Sequence, residues 1–130
     1  MGEILKFDSQ ETVSRGDGIE TVRLTDPPLP GQTFIQGITS FPPGTGLARH
    51  SHNTVEQVTV LEGSGFAEID GKKLRLNQYD CTKVPAGEPH FFENDGDTVM
   101  RILWVYGATD ETRTFTATGE TVANHGSPTL

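Results

Sequence analysis

The sequence predicts an all-β fold, an antiparallel sandwich or barrel built from nine or ten short strands. Fifteen glycines and eight prolines among 130 residues interrupt the chain at short intervals. The segments between these interruptions are rich in valine, threonine, isoleucine and phenylalanine, which favour strands. No segment carries the apolar spacing of three and four residues that marks an amphipathic helix. These observations together favour two packed sheets without helical layers.

Charge and composition exclude several classes of function. The length of 130 residues fits one domain with a real core. A formal net charge of −8, with no basic run, argues against nucleic acid and anionic membrane surfaces as partners. No apolar run approaches the roughly 20 residues of a membrane span, and the start lacks the apolar stretch of a secretory signal. The single cysteine, Cys81, fits a reducing compartment, so we expect a cytoplasmic protein.

The first third of the chain is predicted to contain short strands separated by polar turns. Residues 3–7 are expected to form a short strand, and residues 15–18 (R-G-D-G) a turn. Residues 19–24 alternate as a strand does. The prolines of residues 26–31 form a loop, because proline lacks the backbone donor and fixes its own φ. Residues 33–41 read as the next strand.

The central part of the chain alternates strands with turns. Asp70-Gly71 predicts a type I′ hairpin, because both residues tolerate positive φ. Asp80 and Asn94 are expected to fix turns rather than touch a ligand. The longest apolar run, residues 99–106, is too short for an ordinary helix and rich in strand formers. In chain order the predicted strands are 47–52, 55–61, 66–69, 72–76, 80–84, 90–93, 99–106 and, as an outer strand, 113–118.

The residues that can carry chemistry lie in two short stretches. His50 and His52 point the same way on a strand, because side chains alternate with period two. Glu56 has the same parity and joins them if residues 53–54 do not shift the register. His90 supplies a fourth ligand, so three of the four histidines fall in these stretches. Three imidazoles and a carboxylate predict a site for a divalent transition metal.

The same residues give the chain a resemblance to the cupins. The first cupin motif, G-x5-H-x-H-x3-E-x6-G, is matched in full by Gly44, His50, His52, Glu56 and Gly63. The second, G-x5-P-x-G-x2-H-x3-N, is matched by Pro85, Gly87, His90 and Asn94. Tyr79 stands in place of its first glycine, and we expect a locally altered hairpin there. Two such motifs in order are far more specific than a lone H-x-H.

The resemblance implies a small jelly-roll β-barrel of the cupin type. It covers residues 33–106 as the motif core of a single domain over residues 1–130. Residues 107–130 are then a C-terminal extension, and residues 119–130 are expected to be loose. The implied cofactor is one divalent transition metal inside the barrel, held by His50, His52, Glu56 and His90. Similar enzymes favour Fe(II), and the ligand set also suits Mn, Ni, Zn, Cu or Co.

Parity and the resemblance together predict an apolar pocket around the metal, and the same apolar pattern equally fits an ordinary core. It should have few fixed charges and no cationic anchor for a carboxylate, since Arg101 points away from it. Cys81 is expected to be a small buried hydrophobic residue, and His125 a surface residue of the tail. Arg49 and Gln57 have the opposite parity and should support the site from behind or face outward. The predicted pocket residues are Ile35, Gly37, Thr39, Leu47, Val58, Phe92, Ile102, Trp104 and Tyr106.

Three functions remain open on this basis. The first is a metal-dependent oxygenase or dioxygenase acting on a planar or apolar small molecule that ligates the metal, with Glu56 as general base. The second is a non-redox isomerase, lyase or hydrolase that uses the ion as a Lewis acid. The third is a module that binds a small ligand without turnover. We also expect a homodimer, because Val99, Leu103 and Val105 form an apolar outer face.

Overall fold

The computed structural model describes residues 2–123, which form two six-stranded antiparallel sheets. The turns predicted from glycine and proline divide this part of the chain into short strands. The strands are β1 (Thr12–Ser14), β2 (Glu20–Arg23), β3 (Ile35–Phe41), β4 (His50–His52), β5 (Glu56–Glu62), β6 (Gly65–Ile69), β7 (Lys72–Leu76), β8 (Cys81–Val84), β9 (His90–Glu93), β10 (Met100–Tyr106), β11 (Thr112–Phe115) and β12 (Thr121–Ala123).

The chain passes repeatedly from one sheet to the other. The first sheet has the order β1-β2-β3-β10-β5-β8, and the second has the order β12-β11-β4-β9-β6-β7. Strands β3, β4 and β5 follow one another in sequence but alternate between the two sheets. This arrangement of two antiparallel sheets confirms the predicted jelly-roll barrel.

The core lies between the sheets, and the two longest paired strands contribute alternate residues to it. Strands β3 and β10 pair along their whole length, and in both of them every second residue is buried. The inward set predicted on β10, from Met100 to Tyr106, is therefore confirmed. The core cluster consists of Ile19, Ile35, Phe41, Val58, Val60, Ala67, Leu76, Phe92, Met100, Ile102, Trp104 and Tyr106.

The turns follow the predicted chemistry. Asp70 and Gly71 have φ values of 49° and 80°, as a type I′ hairpin requires. The Asn94 amide is buried and donates to the carbonyl oxygens of Phe41 (2.9 Å) and Thr98 (2.7 Å). The Asp80 carboxylate accepts from the amide of Asn77 at 2.8 Å. Both polar side chains therefore fix turns, as predicted.

The N-terminal prediction is wrong. Residues 3–7 form no strand; a short 3-10 turn spans Phe7–Ser9, and Ile4 is 85 % exposed. The apolar residues there have no sheet to pack against, because β1 takes the edge position beside β2. Within the residues that the structure describes, no helix has the length and apolar character needed to cross a membrane.

The C-terminal segment is more ordered than the sequence suggests. The expected outer strand is β11, which lies one strand in from the edge because β12 pairs with it. The expectation of a loose segment from residue 119 is therefore wrong for Thr121–Ala123. The rest of that expectation, and the interpretation of His125, concern residues 124–130, which lie outside the described residues.

The expected burial of Cys81 is also wrong. Alternate residues of β8 are buried, and Cys81 falls on the exposed set. Because β8 is an edge strand, its outward side chains have no neighbouring sheet to cover them. The sulfur lies 3.2 Å from Nε2 of Gln57, which places Gln57 on the same outer face.

The turn at Tyr79 leads to a test of stability. Tyr79 has φ of 72°, the left-handed conformation that favours glycine, and its side chain is 72 % exposed. The backbone thus keeps the form that the motif glycine would adopt, at a conformational cost to tyrosine. We expect Tyr79→Gly to raise the free energy of unfolding by about 1 kcal/mol, measured by urea denaturation. Tyr79→Ala is the control and should change little; equal gains in both variants would contradict this explanation.

Candidate metal centre

The four predicted ligands come from two facing sheets. His50 and His52 lie on β4 and His90 on β9, all in the second sheet. Glu56 begins β5, which belongs to the first sheet. The prediction that Glu56 joins the histidines is confirmed, but the predicted reason, a shared strand face, is wrong. Residues 53–55 carry the chain across to the other sheet. Glu56 faces the histidines from the opposite side of the barrel.

The strand register fixes which side chains face inward. His50 pairs directly with His90, and such cross-strand partners share one face of a sheet. His52 pairs with Arg113 of β11, and Glu56 pairs with Tyr106 of β10. Their side chains are buried in every case. The register alone therefore gathers imidazole, carboxylate, phenol and guanidinium groups in one interior.

The spacing of the donor atoms fits a single metal ion. One ligand atom from each of His50, His52, Glu56 and His90 lies within 4.8 Å of all the others. The Nε2 atoms of His52 and His90 lie 3.1 and 3.2 Å from the two Glu56 oxygens. Metal–ligand bonds of about 2.0–2.2 Å place neighbouring ligand atoms about 3 Å apart, so these separations match.

The ring orientations leave lone pairs directed at the centre. Nδ1 of His50 lies 2.6 Å from the carbonyl oxygen of Ala48, and Nδ1 of His90 lies 2.9 Å from that of Glu88. A carbonyl oxygen only accepts, so both Nδ1 atoms carry the proton and donate. The Nε2 atoms of His52 and His90 and one Glu56 oxygen have no hydrogen-bond partner. A bound cation would satisfy these buried atoms.

The third histidine is held by a carboxylate that sequence reasoning missed. Nδ1 of His52 lies 2.7 Å from Glu111 Oε1, and Glu111 is 1 % exposed. A carboxylate behind a metal-binding imidazole fixes its tautomer and raises its basicity. Glu111 immediately precedes β11, outside both motifs. Glu111 and Arg113 are two residues apart, so the sequence does show that they share one face of an extended segment. That face can be assigned to the interior only when β11 is known to pair with β4.

The site shifts the pKa values of its ligands in different directions. Burial, and then the positive charge of Arg113, lowers the pKa of His50, so this imidazole is neutral. For Glu56, burial acts to raise the pKa, but the contacts with His52 and His90 outweigh it and lower the pKa. Burial likewise lowers the pKa of His52, yet Glu111 and Glu56 together raise it. The shifts of His52 and Glu56 therefore favour protons between these groups, and a metal ion would take the place of those protons, because it binds neutral imidazoles and ionised carboxylates.

A small cavity adjoins these ligands. Its volume is about 20 Å³, room for one or two water-sized groups. Seven of the nine predicted pocket residues line it: Thr39, Leu47, Val58, Phe92, Ile102, Trp104 and Tyr106. Ile35 and Gly37 do not. The Trp104 ring fills the space above Gly37, where an added Cβ would lie 2.2 Å from Cζ2, and Ile35 packs in the core opposite Tyr106.

The expectation of a pocket without a cationic group is wrong. Arg15 and Arg113 line the cavity together with His50 and Glu56, and both arginines are buried. Arg15 follows β1, where the sequence predicted only a polar turn, so no sequence signal pointed to it. Arg113 was assigned to an outer strand, although its pairing with His52 makes it face inward. Arg101 does point away, toward Glu62 at 2.8 Å.

The contact between His52 and Glu111 can be tested through metal affinity. Glu111→Gln removes the charge behind His52 while keeping the shape of the side chain. We expect it to weaken metal binding by about 10- to 100-fold, measured by competition with a chromophoric chelator. The control is Glu120→Gln, an exposed site in the turn after β11. An unchanged metal affinity in Glu111→Gln would remove Glu111 from the metal centre.

Comparison with known proteins supports the same assignment. Residues 37–106 match the family model described as "Cupin domain". An uncharacterised protein from Methanocaldococcus jannaschii is 33 % identical over 63 residues, which are 48 % of this chain and 50 % of that protein. The chain thus spans about half the length of that relative. The 5-nitrosalicylic acid 1,2-dioxygenase of Bradyrhizobium is 30 % identical over 63 residues, 47 % of this chain and 30 % of the enzyme.

Among solved structures, one match extends over nearly the whole chain. It is described as a sugar phosphate isomerase of the cupin superfamily from Silicibacter pomeroyi. The TM-score is 0.77 and the identity 27 %, and the alignment covers 97 % of this chain and 96 % of that one. The family model and this architecture agree with the two motifs and the jelly-roll sheets described above. The chain belongs to the cupin family.

Proposed function

We propose that this chain is a metal-dependent oxygenase that acts on a small molecule bound directly to the metal. The observation that carries the proposal is the convergence of three imidazoles and one carboxylate in a buried cavity. Four protein ligands around an ion that prefers six leave two positions open to small molecules. A bound Fe(II) ion, the metal we favour, would supply the one-electron chemistry that dioxygen needs.

The residues around the ligands suit a planar substrate. Phe92 and Trp104 line the cavity with their rings, and Trp104 stacks on Tyr106 with centroids 5.0 Å apart. Burial, and then the charge of Glu56, raises the pKa of Tyr106, so its phenol stays protonated and can donate to a bound oxygen atom. The ionised Glu56 carboxylate is placed to take a proton from a substrate hydroxyl, which is the role of a general base.

The similarity to a dioxygenase lends support to oxygen chemistry. The matched relative is named as a 1,2-dioxygenase of 5-nitrosalicylic acid. That similarity involves about half of this chain and less than a third of the enzyme. We therefore base the proposed oxygenase reaction on the four ligands together with this similarity. We do not specify which aromatic substrate is used.

A second candidate is a metal-dependent isomerase without redox chemistry. It is favoured by the alignment with the Silicibacter pomeroyi structure, which spans nearly both chains at 27 % identity. Here the ion would act as a Lewis acid on a carbonyl or hydroxyl oxygen, and Glu56 would move a proton between neighbouring carbons. This reaction needs no dioxygen and no change of oxidation state, which separates it from the first candidate.

Oxygen uptake distinguishes the candidates. We expect uptake when the protein is reconstituted with Fe(II) under anaerobic conditions and mixed with aerated catechol, diketone, flavonol or salicylate probes. Glu56→Gln should lower the rate by about 10²- to 10⁴-fold, the usual contribution of a general base. Equal turnover with Zn(II) and Fe(II) without oxygen would favour the isomerase. Tight binding without product under any ion would indicate a ligand-binding module.

The control for this experiment lies on the outside of the barrel. Glu62→Gln removes a carboxylate from the same strand as Glu56, but its side chain is 53 % exposed and contacts Arg101. This variant should keep the metal and the oxygen uptake of the unchanged protein. If Glu62→Gln lowered the rate as much as Glu56→Gln does, the effect of Glu56→Gln would not be due to the loss of a general base.

We also propose that the protein is a cytoplasmic homodimer. Val99, Leu103 and Val105 are only half-buried on the outer face of the first sheet, and Phe34 and Val55 are 43 % and 58 % exposed. A second copy would cover this apolar surface. Sedimentation at micromolar concentration should give twice the monomer mass, and Leu103→Lys should shift the protein to the monomer. A monomeric unchanged protein would overturn the proposal.

A further inference from the structure

Two arginines enter the cavity from opposite sheets. Arg15 follows β1 of the first sheet, and Arg113 belongs to β11 of the second sheet. They are 7 % and 4 % exposed and line the same cavity as His50 and Glu56. Arginine is almost never fully buried unless it is paired, because removing its charge from water is costly. Neither residue belongs to the segment that matches the family model.

The arginine side chains are held by fixed partners. Nε of Arg15 donates to Oγ1 of Thr21 at 3.2 Å. The Thr21 hydroxyl lies 2.9 Å from that of Thr39, which in turn accepts from Nε1 of Trp104 at 2.9 Å. This buried chain ties the guanidinium to β2, β3 and β10. Arg113 is anchored differently, by a hydrogen bond with the phenol of Tyr106.

The two guanidinium groups interact electrostatically. Burial, then the positive charges of Arg113 and Arg23, lowers the pKa of Arg15 to about 10. The charge of Arg113 also lowers the pKa of His50, which places it close to the metal centre. The two positive charges line the cavity with the carboxylate of Glu56, and the buried carboxylate of Glu111 also acts on Arg15. A bound divalent ion would give this group of charges a positive excess, so an anion would be attracted here.

We propose that Arg15 and Arg113 form an anion subsite that binds the carboxylate of the substrate, while a neighbouring substrate oxygen ligates the metal. The substrate class is then a small organic acid with a hydroxyl or oxo group beside its carboxylate. The planar guanidinium fork matches a carboxylate in two parallel hydrogen bonds. This inference rests on the proposed function for its metal.

Binding of glycolate and of its neutral counterpart glycolamide tests the subsite. The full chain is loaded with Mn(II), its metal content is measured, and each probe is titrated by calorimetry; the same titrations are repeated on chelator-treated protein. We expect glycolate to bind at least about tenfold more tightly than glycolamide. A smaller preference should remain without metal, since the arginines are part of the fold. Equal affinity for the two probes in both states would overturn the subsite.

Variants of Arg15 and Arg113 test whether these two residues cause the preference for glycolate over glycolamide. Arg15→Met and Arg113→Met should each lower glycolate affinity about tenfold or more, with glycolamide affinity and metal content unchanged. The control, Arg75→Met, removes an exposed arginine that pairs with Asp95. Arg113→Lys replaces Arg113→Met if the latter does not fold, and should lose several-fold affinity because lysine lacks the fork. Unchanged glycolate affinity in the folded variants would overturn the assignment.

The failures of the two proposals are distinguishable. Protein that binds no metal would contradict the oxygenase, whereas the preference for glycolate over glycolamide on chelator-treated protein would still support the arginine subsite. Protein that holds one metal ion per chain but does not distinguish the two probes would contradict the subsite alone. Inorganic phosphate that binds more tightly than glycolate, with the same dependence on Arg15 and Arg113, would overturn the carboxylate assignment in favour of a phosphorylated substrate.

Discussion

An ionised carboxylate sealed between two sheets needs positive charge close by, and this requirement governs the interior of the protein. Glu56 is 4 % exposed, and the nearest groups on the facing sheet are imidazoles. The backbone carbonyls behind His50 and His90 hold the protons on the far sides of those rings. The near sides therefore offer lone pairs to an anion, which is unfavourable unless a cation lies between them. Metal binding at this site would therefore be coupled to folding.

The jelly-roll topology makes this arrangement compatible with short strands. Each strand supplies one or two inward positions at the centre, so four ligands require three strands from two sheets. The pairings of His50 with His90 and of His52 with Arg113 set these positions without any contribution from loops. Placing a site on paired strands, rather than on loops, restricts the movement of its side chains. The turn residues Asn94 and Asp80 then hold the strand ends in register.

Sequence reasoning predicted the metal ligands because strand parity and two motifs are local properties. The same reasoning failed where contacts depend on distant pairing. Parity placed Glu56 with the histidines but could not show that it crosses to the facing sheet. Arg113 was identifiable as an inward residue only from its register with β4, more than 60 residues earlier in the chain. Arg15 lies in a polar turn, and its burial follows from how β1 and β2 close over the barrel.

The positions of the charged residues along the chain have an evolutionary consequence. The four candidate metal ligands all lie within the segment that matches the cupin family model, whereas Arg15, Glu111 and Arg113 lie in the flanking segments. Mutation of Arg15 or Arg113 could therefore alter ligand preference without changing the four candidate metal ligands, whereas mutation of Glu111 would also affect metal affinity. Proteins descended from one ancestral barrel could diverge in this way through substitutions in their terminal segments. Chimeras that exchange these flanks between relatives but retain Glu111 would transfer ligand preference and leave the ion in place.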